Sequence, residues 1–490
     1  MVNEGEMMEE FDYSTFLSPF TWRYGSPEMR KIFSEINYRA AWRKIWVALA
    51  EAQSKYGLVT QKELADLKSK MGLEHIDLKR AHEIEREIRH DMMAEIKTYA
   101  EQCPTGGGKI HLGATSMDIE DNAEVLRIKA ALDLVLTRLT NCLDSLSEQI
   151  IKFKDLPCIG WTHLQPAEPT TLGYRLASYA QDLVLDIRSA ENLLRDFVKG
   201  KGIKGAVGTS ASFQMLLKGK GRASALEDQV MKKLGIKAFP ISTQTYPRKL
   251  DYLVLAVLAG TAQSLHKFGV DLRHLQSPAY GELSEPIGEA RVGSSAMPFK
   301  KNPISAERMC SLARYISTLP DVAWENAAQA ILERTLDDSA NRRIVLAESF
   351  LALDECLMVY DQLTRGLVVY PVIMKRNLER YAPFAATEAV LMKLVKRGED
   401  RQRMHEKLRG LSFKAWERVM KGEQNPLPDL LKKDRTISSK LNDREIDELL
   451  DPTKHLGDAS ERCERFVKTA IKPILSKYRN RVGKRRSAEF

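Results

Sequence analysis

The sequence predicts an all-α protein built around a bundle of five long helices, on two observations. First, five segments repeat apolar residues at spacings of three and four, which places those side chains on one face of a helix. The clearest is the run Leu132, Leu136, Leu139, Leu143 and Leu146. Second, strand-like alternation is scarce between these segments. The five helices are predicted at about 118–150, 170–198, 248–275, 303–330 and 338–363.

The 490 residues divide into three predicted domains: a helical domain over 1–115, the central bundle over 116–369, and a second helical domain over 370–490. Pro27 predicts a helix start in the first domain, since proline suits the first helical position. After residue 369 the prolines become frequent and the helical patterns shorter. Because one chain has too few other segments to cover such long helices, we expect a homo-oligomer.

Composition excludes several classes of protein. Hydrophobic residues make up 43% and charged residues 29%, which is typical of a globular protein, and no apolar run is long enough for a bilayer. The acidic first ten residues lack an apolar signal core, so we expect a cytoplasmic location. The six cysteines show no metal-type spacing, which predicts reduced thiols and no metal site.

The net charge is +9, and part of this excess lies in a basic tail. We expect the tail to be a solvated, partly disordered end, and not a nucleic-acid site, because Tyr478 and Phe490 are the only aromatic residues near its cations. The remaining excess would suit an anionic small molecule. The basic residues of the tail are Lys477, Arg479, Arg481, Lys484, Arg485 and Arg486.

The most distinctive segment is 293–303, which reads Gly-Ser-Ser-Ala-Met-Pro-Phe-Lys-Lys-Asn-Pro. Glycine and two serines allow the backbone to turn and to offer N–H groups to an anion. Asn302 and Pro303 look like an N-cap and the first residue of the next helix. The segment therefore predicts a loop poised at a helix N-terminus, where negative charge is stabilised.

Other connections between the helices carry polar residues that could meet a ligand. His163 lies in a predicted loop, and a histidine can donate or accept a proton near neutral pH. Three arginines are concentrated in 334–343, where they could bind phosphate or carboxylate. Taken singly, each of these features also fits an ordinary capping segment or a surface ion pair.

Together these segments resemble a known family. The Ser294 loop is similar to the signature Gly-Ser-Ser-x-Met-Pro-x-Lys-x-Asn-Pro of the fumarase/aspartase superfamily. The regions of Arg89, Thr115, His163 and Gln244, the Ser294 loop and 333–343 resemble, in that order, the adenylosuccinate lyase family, and most closely its animal-type members. The resemblance spans about 20–451. Two positions depart from the family pattern, namely Phe299 in place of tyrosine and Lys301 in place of arginine.

The resemblance implies a three-domain fumarase/aspartase-like fold and a β-elimination that releases fumarate from adenylosuccinate and from the related succinyl-carboxamide ribotide. It implies Ser294 as general base, His163 as general acid, with His90 the alternative acid, and Lys300 as the cation that stabilises the dianionic intermediate. Glu307 would orient His163. The implied substrate-binding residues are Arg23, Tyr24, Arg89, His90, Asp91, Thr115, Ser116, Gln244, Lys300, Asn302, Arg308, Arg334, Ser339 and Arg343.

The same resemblance implies no metal and no organic cofactor. It also implies a homotetramer in which three subunits contribute to each active site. Two other functions stay open at this point: another lyase of the superfamily, such as one acting on argininosuccinate, and a non-catalytic helical binding protein. Arg334 and Arg343 argue against the first, and the joint presence of Ser294, His163 and Lys300 argues against the second.

Overall fold

A computed structural model describes residues 12–286, 296–297 and 299–488 of the chain. Helices dominate the described residues, so the all-α prediction is confirmed. The described part of the first region contains six α-helices, and its largest buried side chains include Trp42 and Trp46. As predicted, the second helix begins at Pro27, where the Ser26 hydroxyl accepts a hydrogen bond from the Met29 N–H at 3.2 Å. The helices are α1 Pro19–Trp22, α2 Pro27–Phe33, α3 Glu35–Ser54, α4 Gln61–Ser69, α5 Leu78–Ile88 and α6 Asp91–Gln102.

The five predicted long helices are all present, and the apolar repeat explains their packing. Leu132, Leu139 and Leu143 are fully buried along the seam of the first of them. Thr115 is the N-cap residue of this helix, and its N–H donates to the Asp118 carboxylate at 3.0 Å, as in a capping box. The helices of this region are α7 Ser116–Lys152, α8 Leu172–Asn192, α9 Ala211–Leu216, α10 Ala223–Leu234, α11 Lys249–Gln276, α12 Ile304–Ala328 and α13 Asp338–Arg365.

The two ends of the bundle are named here the arginine end and the hairpin end. At the arginine end, where α7, α11 and α13 begin, Arg248 bonds both Asp121 of α7 and Asp338 of α13. At the hairpin end these three helices finish. Ser145 of α7 and Asp361 of α13 are 2.5 Å apart there, so the two helices run in parallel. α12 runs in the opposite direction between α11 and α13.

A β-hairpin that the sequence did not predict lies at the hairpin end. Strand β1 (Pro157–Thr162) pairs antiparallel with β2 (Gln165–Thr171), and His163 and Leu164 form the turn with φ of 54° and 59°. Both strands contain prolines, and their register shifts after Ile159. The alternation of apolar and polar residues that normally predicts a strand is therefore interrupted. A short pair, β3 (Leu283–Ser284) with β4 (Val368–Val369), joins the ends of α11 and α13.

The last helices include a separate apolar core, formed by residues between Ala386 and Leu450. Pro371 opens the first of these helices, which accounts for one of the prolines noted in the sequence. The helices are α14 Pro371–Ala385, α15 Thr387–Lys396, α16 Arg401–Met420, α17 Leu427–Lys433, α18 Arg435–Ser438, α19 Asp443–Leu450, α20 Ala459–Phe466 and α21 Lys472–Lys477.

The prediction of a solvated, partly disordered basic tail is wrong for residues 478–488. Arg481 donates to Asp133 at 2.6 Å, and Arg485 donates to Asp144 at 2.5 Å, both on α7. Asp133 and Asp144 lie along one stripe of α7 and therefore fix the tail against the bundle. The sequence of the tail alone could not indicate these partners.

One helix in the described part of the chain, α11, has the length and apolar composition that could cross a membrane. Half of its most apolar stretch is buried within the protein, where it packs against α8, α12 and α13. A core helix of a bundle passes the same test of length and composition, so this feature is weak evidence for a membrane span.

Candidate active site

The arginine end holds a buried network of charges around Asp338, whose side chain is 2% exposed. Arg248 Nε donates to Asp338 Oδ2 at 2.6 Å, and Arg334 Nη1 donates to Asp338 Oδ1 at 2.7 Å. Burial opposes ionisation of Asp338, but these guanidinium groups outweigh it and hold the pKa of the carboxyl below its usual range. Asp338 thereby fixes Arg334, a predicted substrate-binding residue, at the start of α13.

A second network fixes the first turns of α13. Arg342 Nε donates to Asp251 Oδ2 at 2.7 Å, and its Nη2 donates to the Tyr246 hydroxyl at 2.7 Å. Tyr246 is fully buried and in turn donates to Asp251 at 2.5 Å. Burial raises the pKa of Tyr246, so its hydroxyl keeps its proton. These bonds set the position of the predicted residues Ser339 and Arg343 on the same helix.

Asp91 connects α6 to this end of the bundle. Arg343 Nη2 donates to Asp91 Oδ2 at 2.7 Å, and Arg39 Nη1 donates to the Asp91 carbonyl at 3.1 Å. Burial opposes ionisation of Asp91, but Arg343 lowers the pKa of this carboxyl overall. His90 precedes it as the N-cap of α6, with a half-exposed side chain that a ligand can reach. Arg89 ends α5 in the left-handed region at φ 55°.

The remaining predicted residues of the arginine end lie at the start of α7 and in the segment before α11. The Thr115 N–H donates to Asp118 at 3.0 Å, and Asp118 also pairs with buried Lys201. Ser116 is the first residue of α7. The Gln244 N–H donates to the carbonyl of Glu333 at 3.2 Å, which ties this segment to the loop before α13.

At the hairpin end, three other predicted residues line one cavity of about 1020 Å³, namely Arg23, Tyr24 and Arg308. Arg365 adds a third guanidinium, whose Nε donates to Asp361 of α13 at 3.0 Å, and no carboxylate is among the described lining residues. Arg308 lies 3.6 Å from Glu355, and its Nε is buried without a hydrogen-bond partner in the described part of the chain. A concave site of this size and charge suits an anionic small molecule.

The described part of the signature loop lies at this end as well. Lys300 is exposed, and its N–H donates to the Met297 carbonyl at 3.0 Å. Asn302 follows two residues later and is partly buried. Ser294, the predicted base, lies outside the described residues. Glu307, predicted to orient His163, has Arg273 of α11 as its neighbour at 3.8 Å in this chain.

The predicted N-cap of α12 is wrong. The helix begins at Ile304, with Pro303 in the cap position, and no side chain of the cap residue bonds its first turn. Instead, buried Glu285 accepts hydrogen bonds from the N–H groups of Ser305 at 3.2 Å and Ala306 at 3.1 Å. The sequence predicted that an anion would bind at the N-terminus of α12, but the carboxylate of Glu285, from outside the helix, already binds there.

His163 is exposed at the turn of the β1–β2 hairpin and lies far from the residues of the arginine end. α7 has 37 residues and is therefore about 54 Å long. The base of the hairpin is fixed at the far end of α7, since the Leu172 N–H donates to the Leu156 carbonyl at 2.9 Å. A six-residue strand reaches back only about 20 Å, so His163 and Ser116 of one chain stay at least roughly 30 Å apart.

Comparisons with known proteins identify the family. A family profile described as "Lyase" matches residues 22–317, and one described as "Adenylosuccinate lyase C-terminus" matches residues 383–466. The adenylosuccinate lyase of Saccharomyces cerevisiae is 38% identical over 472 residues, which cover 95% of this chain and 97% of the yeast protein. That of Schistosoma mansoni is 39% identical, with coverage of 96% and 98%.

The chain belongs to the adenylosuccinate lyase family.

Solved structures agree with this fold. The 3-carboxy-cis,cis-muconate lactonizing enzyme of Pseudomonas putida superposes with a TM-score of 0.81 at 26% identity, covering 93% of this chain and 99% of that enzyme. A fumarate lyase from Mesorhizobium sp. BNC1 also gives 0.81, at 22% identity and with coverage of 91% and 99%, which supports the fold alone. The predicted fumarase/aspartase-like architecture is confirmed. Membership of the adenylosuccinate lyase family makes the protein a lyase that acts on a small-molecule substrate.

Several residues that organise the site of this adenylosuccinate lyase family member were missed in the sequence. Asp337 and Asp338 are adjacent and lie between Arg334 and Arg342, so the sequence does not indicate which of the two carboxylates is buried. Asp121 and Asp251 lie within helices, where a single acidic residue gives no signal. Glu120, next to Asp121, also escaped notice; burial, and then the nearby carboxylates of Asp91 and Asp121, raise its pKa to about 7.

Proposed function

We propose that the protein eliminates fumarate from adenylosuccinate to give AMP, and from the succinyl-aminoimidazole-carboxamide ribotide to give the carboxamide ribotide, in purine nucleotide synthesis. The observation that carries the substrate assignment is the near full-length similarity to adenylosuccinate lyases. The Arg23, Arg308 and Arg365 cavity supports it, because these substrates carry a phosphate and two carboxylates.

The proposed mechanism assigns the two proton transfers to Ser294 and His163. Ser294 takes the proton from Cβ of the succinyl group, and the electron pair left behind forms the carbon–carbon double bond of fumarate. The C–N bond breaks with its electron pair on nitrogen, which His163 protonates. Lys300 stabilises the dianionic carboxylate that develops before the bond breaks. A serine needs its alkoxide stabilised by nearby cations to act as a base.

Each active site is proposed to draw on several subunits of a homotetramer. The support is the separation of at least roughly 30 Å between His163 and Ser116 within one chain, because no small substrate spans that distance. α12 alone, with 25 residues, separates Lys300 from Arg334 by about 37 Å. The rotation axes of a closed symmetric oligomer can bring opposite ends of neighbouring bundles together.

Exposed apolar side chains near the arginine end support assembly as well. They lie at the end of α12, in the loop after it and on the first turns of α13, and a second copy of the chain would remove them from water. They are Trp324, Ile331, Leu332, Leu336 and Ile344, which are between 53% and 86% exposed.

Two further assignments accompany this proposal. The domain boundaries at 115/116 and 369/370 are supported by the start of α7 at Ser116 and of α14 at Pro371. A cytoplasmic location is supported by six free cysteines, all of them buried.

The deciding experiment incubates the purified protein with adenylosuccinate and measures fumarate by absorbance and AMP by chromatography. We expect turnover by the wild type and a loss of at least about 10³-fold in kcat for Ser294→Ala, because the base is removed. The matched control is Ser295→Ala, which removes the adjacent hydroxyl and leaves Ser294 in place. Absence of fumarate from a folded wild type would reject the reaction, whereas equal losses in both variants would reject Ser294 as the base.

A further inference from the structure

The last described residues, 478–488, form a strap across the bundle, which we name the C-terminal strap. Its side chains follow one stripe of α7 toward the hairpin end. Arg481 donates to Asp133 at 2.6 Å and to Thr137 at 3.3 Å, and Arg485 donates to Asp144 at 2.5 Å. The α7 partners are spaced at helical repeats and so lie on one face, which runs parallel to the strap.

Asn141 makes the seating of the strap specific. Its side chain is on the same stripe and is 2% exposed. Its Oδ1 accepts a hydrogen bond from the Gly483 N–H at 2.8 Å, and its Nδ2 donates to the Arg481 carbonyl at 3.1 Å. The Asn141 Nδ2 also donates to the Thr137 carbonyl within α7 at 2.8 Å, so the specific contribution of the strap is the Gly483 N–H, which satisfies the buried Oδ1.

The end of the strap reaches the cavity that contains Arg23, Tyr24 and Arg308. Arg486 donates to Glu28 of α2 at 3.1 Å, just beyond the segment that holds Arg23 and Tyr24. The carbonyl of Ala488 accepts a hydrogen bond from Gln362 at 3.4 Å, and both of these residues line the cavity. The strap therefore supplies part of the cavity wall and links α2, α7 and α13 around it.

We propose that the C-terminal strap positions the anion-binding cavity of the active site and shields it from water. The proposal rests on the proposed function, because it takes the phosphate or a carboxylate of the substrate as the ligand of this cavity. Arginine–anion attraction weakens as the local dielectric constant rises, so opening the wall to solvent weakens substrate binding. The residues that transfer protons are not part of the strap. Its loss should therefore raise KM and leave kcat nearly unchanged, which is the pattern expected when binding common to ground and transition states is removed.

The test compares the wild type with three variants: a truncation after Lys477, Arg485→Ala and Arg479→Ala. Arg479 is the matched control, because it carries the same charge in the same segment but is exposed. Steady-state rates with adenylosuccinate give kcat and KM, and calorimetry with AMP gives the affinity of the active site for a phosphate-bearing product. We expect the truncation to raise both KM and the Kd for AMP about tenfold, Arg485→Ala to raise them less, and Arg479→Ala to match the wild type.

The outcomes separate this inference from the proposed function. Wild-type turnover with unchanged KM and AMP affinity in the truncation and in Arg485→Ala would overturn the strap proposal alone. A loss confined to kcat, or an equal effect of Arg479→Ala, would also overturn it. A wild type that neither releases fumarate nor binds AMP would reject both. If the truncated protein does not fold, as judged by circular dichroism, the pair Arg485→Ala and Arg479→Ala decides.

Discussion

Mixing two inactive variants, His90→Ala and His163→Ala, tests whether active sites are shared between chains. His90 caps α6 at the arginine end, and His163 forms the hairpin turn at the opposite end. The 37 residues of α7 keep these ends at least roughly 30 Å apart in one chain. A site that uses both histidines must therefore take them from different copies.

This geometry sets the size of the expected recovery. In oligomers reassembled at random from equal amounts of the two variants, half of the sites receive an intact His90 and, independently, half receive an intact His163. About a quarter of the sites then carry both, so activity should return to about 25% of the wild-type value. The assay is fumarate release after reversible dissociation, with subunit exchange verified by native mass spectrometry.

The control is a mixture of His90→Ala with Arg343→Ala. Both residues lie at the arginine end, and Asp91 links them within one chain, since it follows His90 directly and bonds Arg343 at 2.7 Å. Every site built from either variant lacks one of the two, so this mixture should stay inactive. No recovery in verified mixed oligomers of His90→Ala and His163→Ala would refute the reasoning, as would recovery in the control.

Two predictions concern stability. Asp338→Asn should lower the free energy of unfolding by about 3 kcal/mol, because it removes the buried carboxylate that Arg248 and Arg334 share and leaves Arg248 with Asp121 alone; urea unfolding measures this, and exposed Asp337→Asn is the control. If Asp338→Asn lowers the free energy of unfolding as little as Asp337→Asn does, the ion pairs of Asp338 do not contribute to stability. His111 Nδ1 accepts a hydrogen bond from Trp46 at 3.1 Å, and burial lowers its pKa to about 4. The unfolded chain, with a His pKa of about 6.5, binds a proton in this pH range that His111 in the folded chain does not bind, so the free energy of unfolding falls by about 2.5 kcal/mol as the pH drops from 6.5 to 4. Unfolding at pH 7.5 and 4.5 should show a smaller fall for His111→Gln, and an equal fall would contradict this account.

The long helices could be predicted because their signal is local. The leucine repeat of α7 specifies which face of that helix is buried, independently of the helices that pack against it. The apolar repeats of α11, α12 and α13 specify their buried faces in the same way. The hairpin could not be predicted in this way. Pro166 and Pro169 break the usual strand pattern, and the pairing of β1 with β2 decides the structure there.

The residues of the site divide in the same way. The sequence pointed to Arg334, Ser339 and Arg343 through their density and their similarity to a family. It could not show that Asp338 holds Arg334, because residues 90 positions apart, such as Arg248 and Asp338, meet only in the folded bundle. It also assigned the N-terminus of α12 to an anion, where Glu285 is bound instead.

The sequence by itself determined the helical class, the positions of the bundle helices and the family, because periodicity and short motifs are properties of neighbouring residues. Only the tertiary structure decided where those motifs lie. It placed His163 and the predicted residues of the arginine end at opposite ends of one bundle, because the length of α7 separates them. It also seated the basic strap on α7, because the carboxylates that bind Arg481 and Arg485 lie more than 300 residues earlier in the chain.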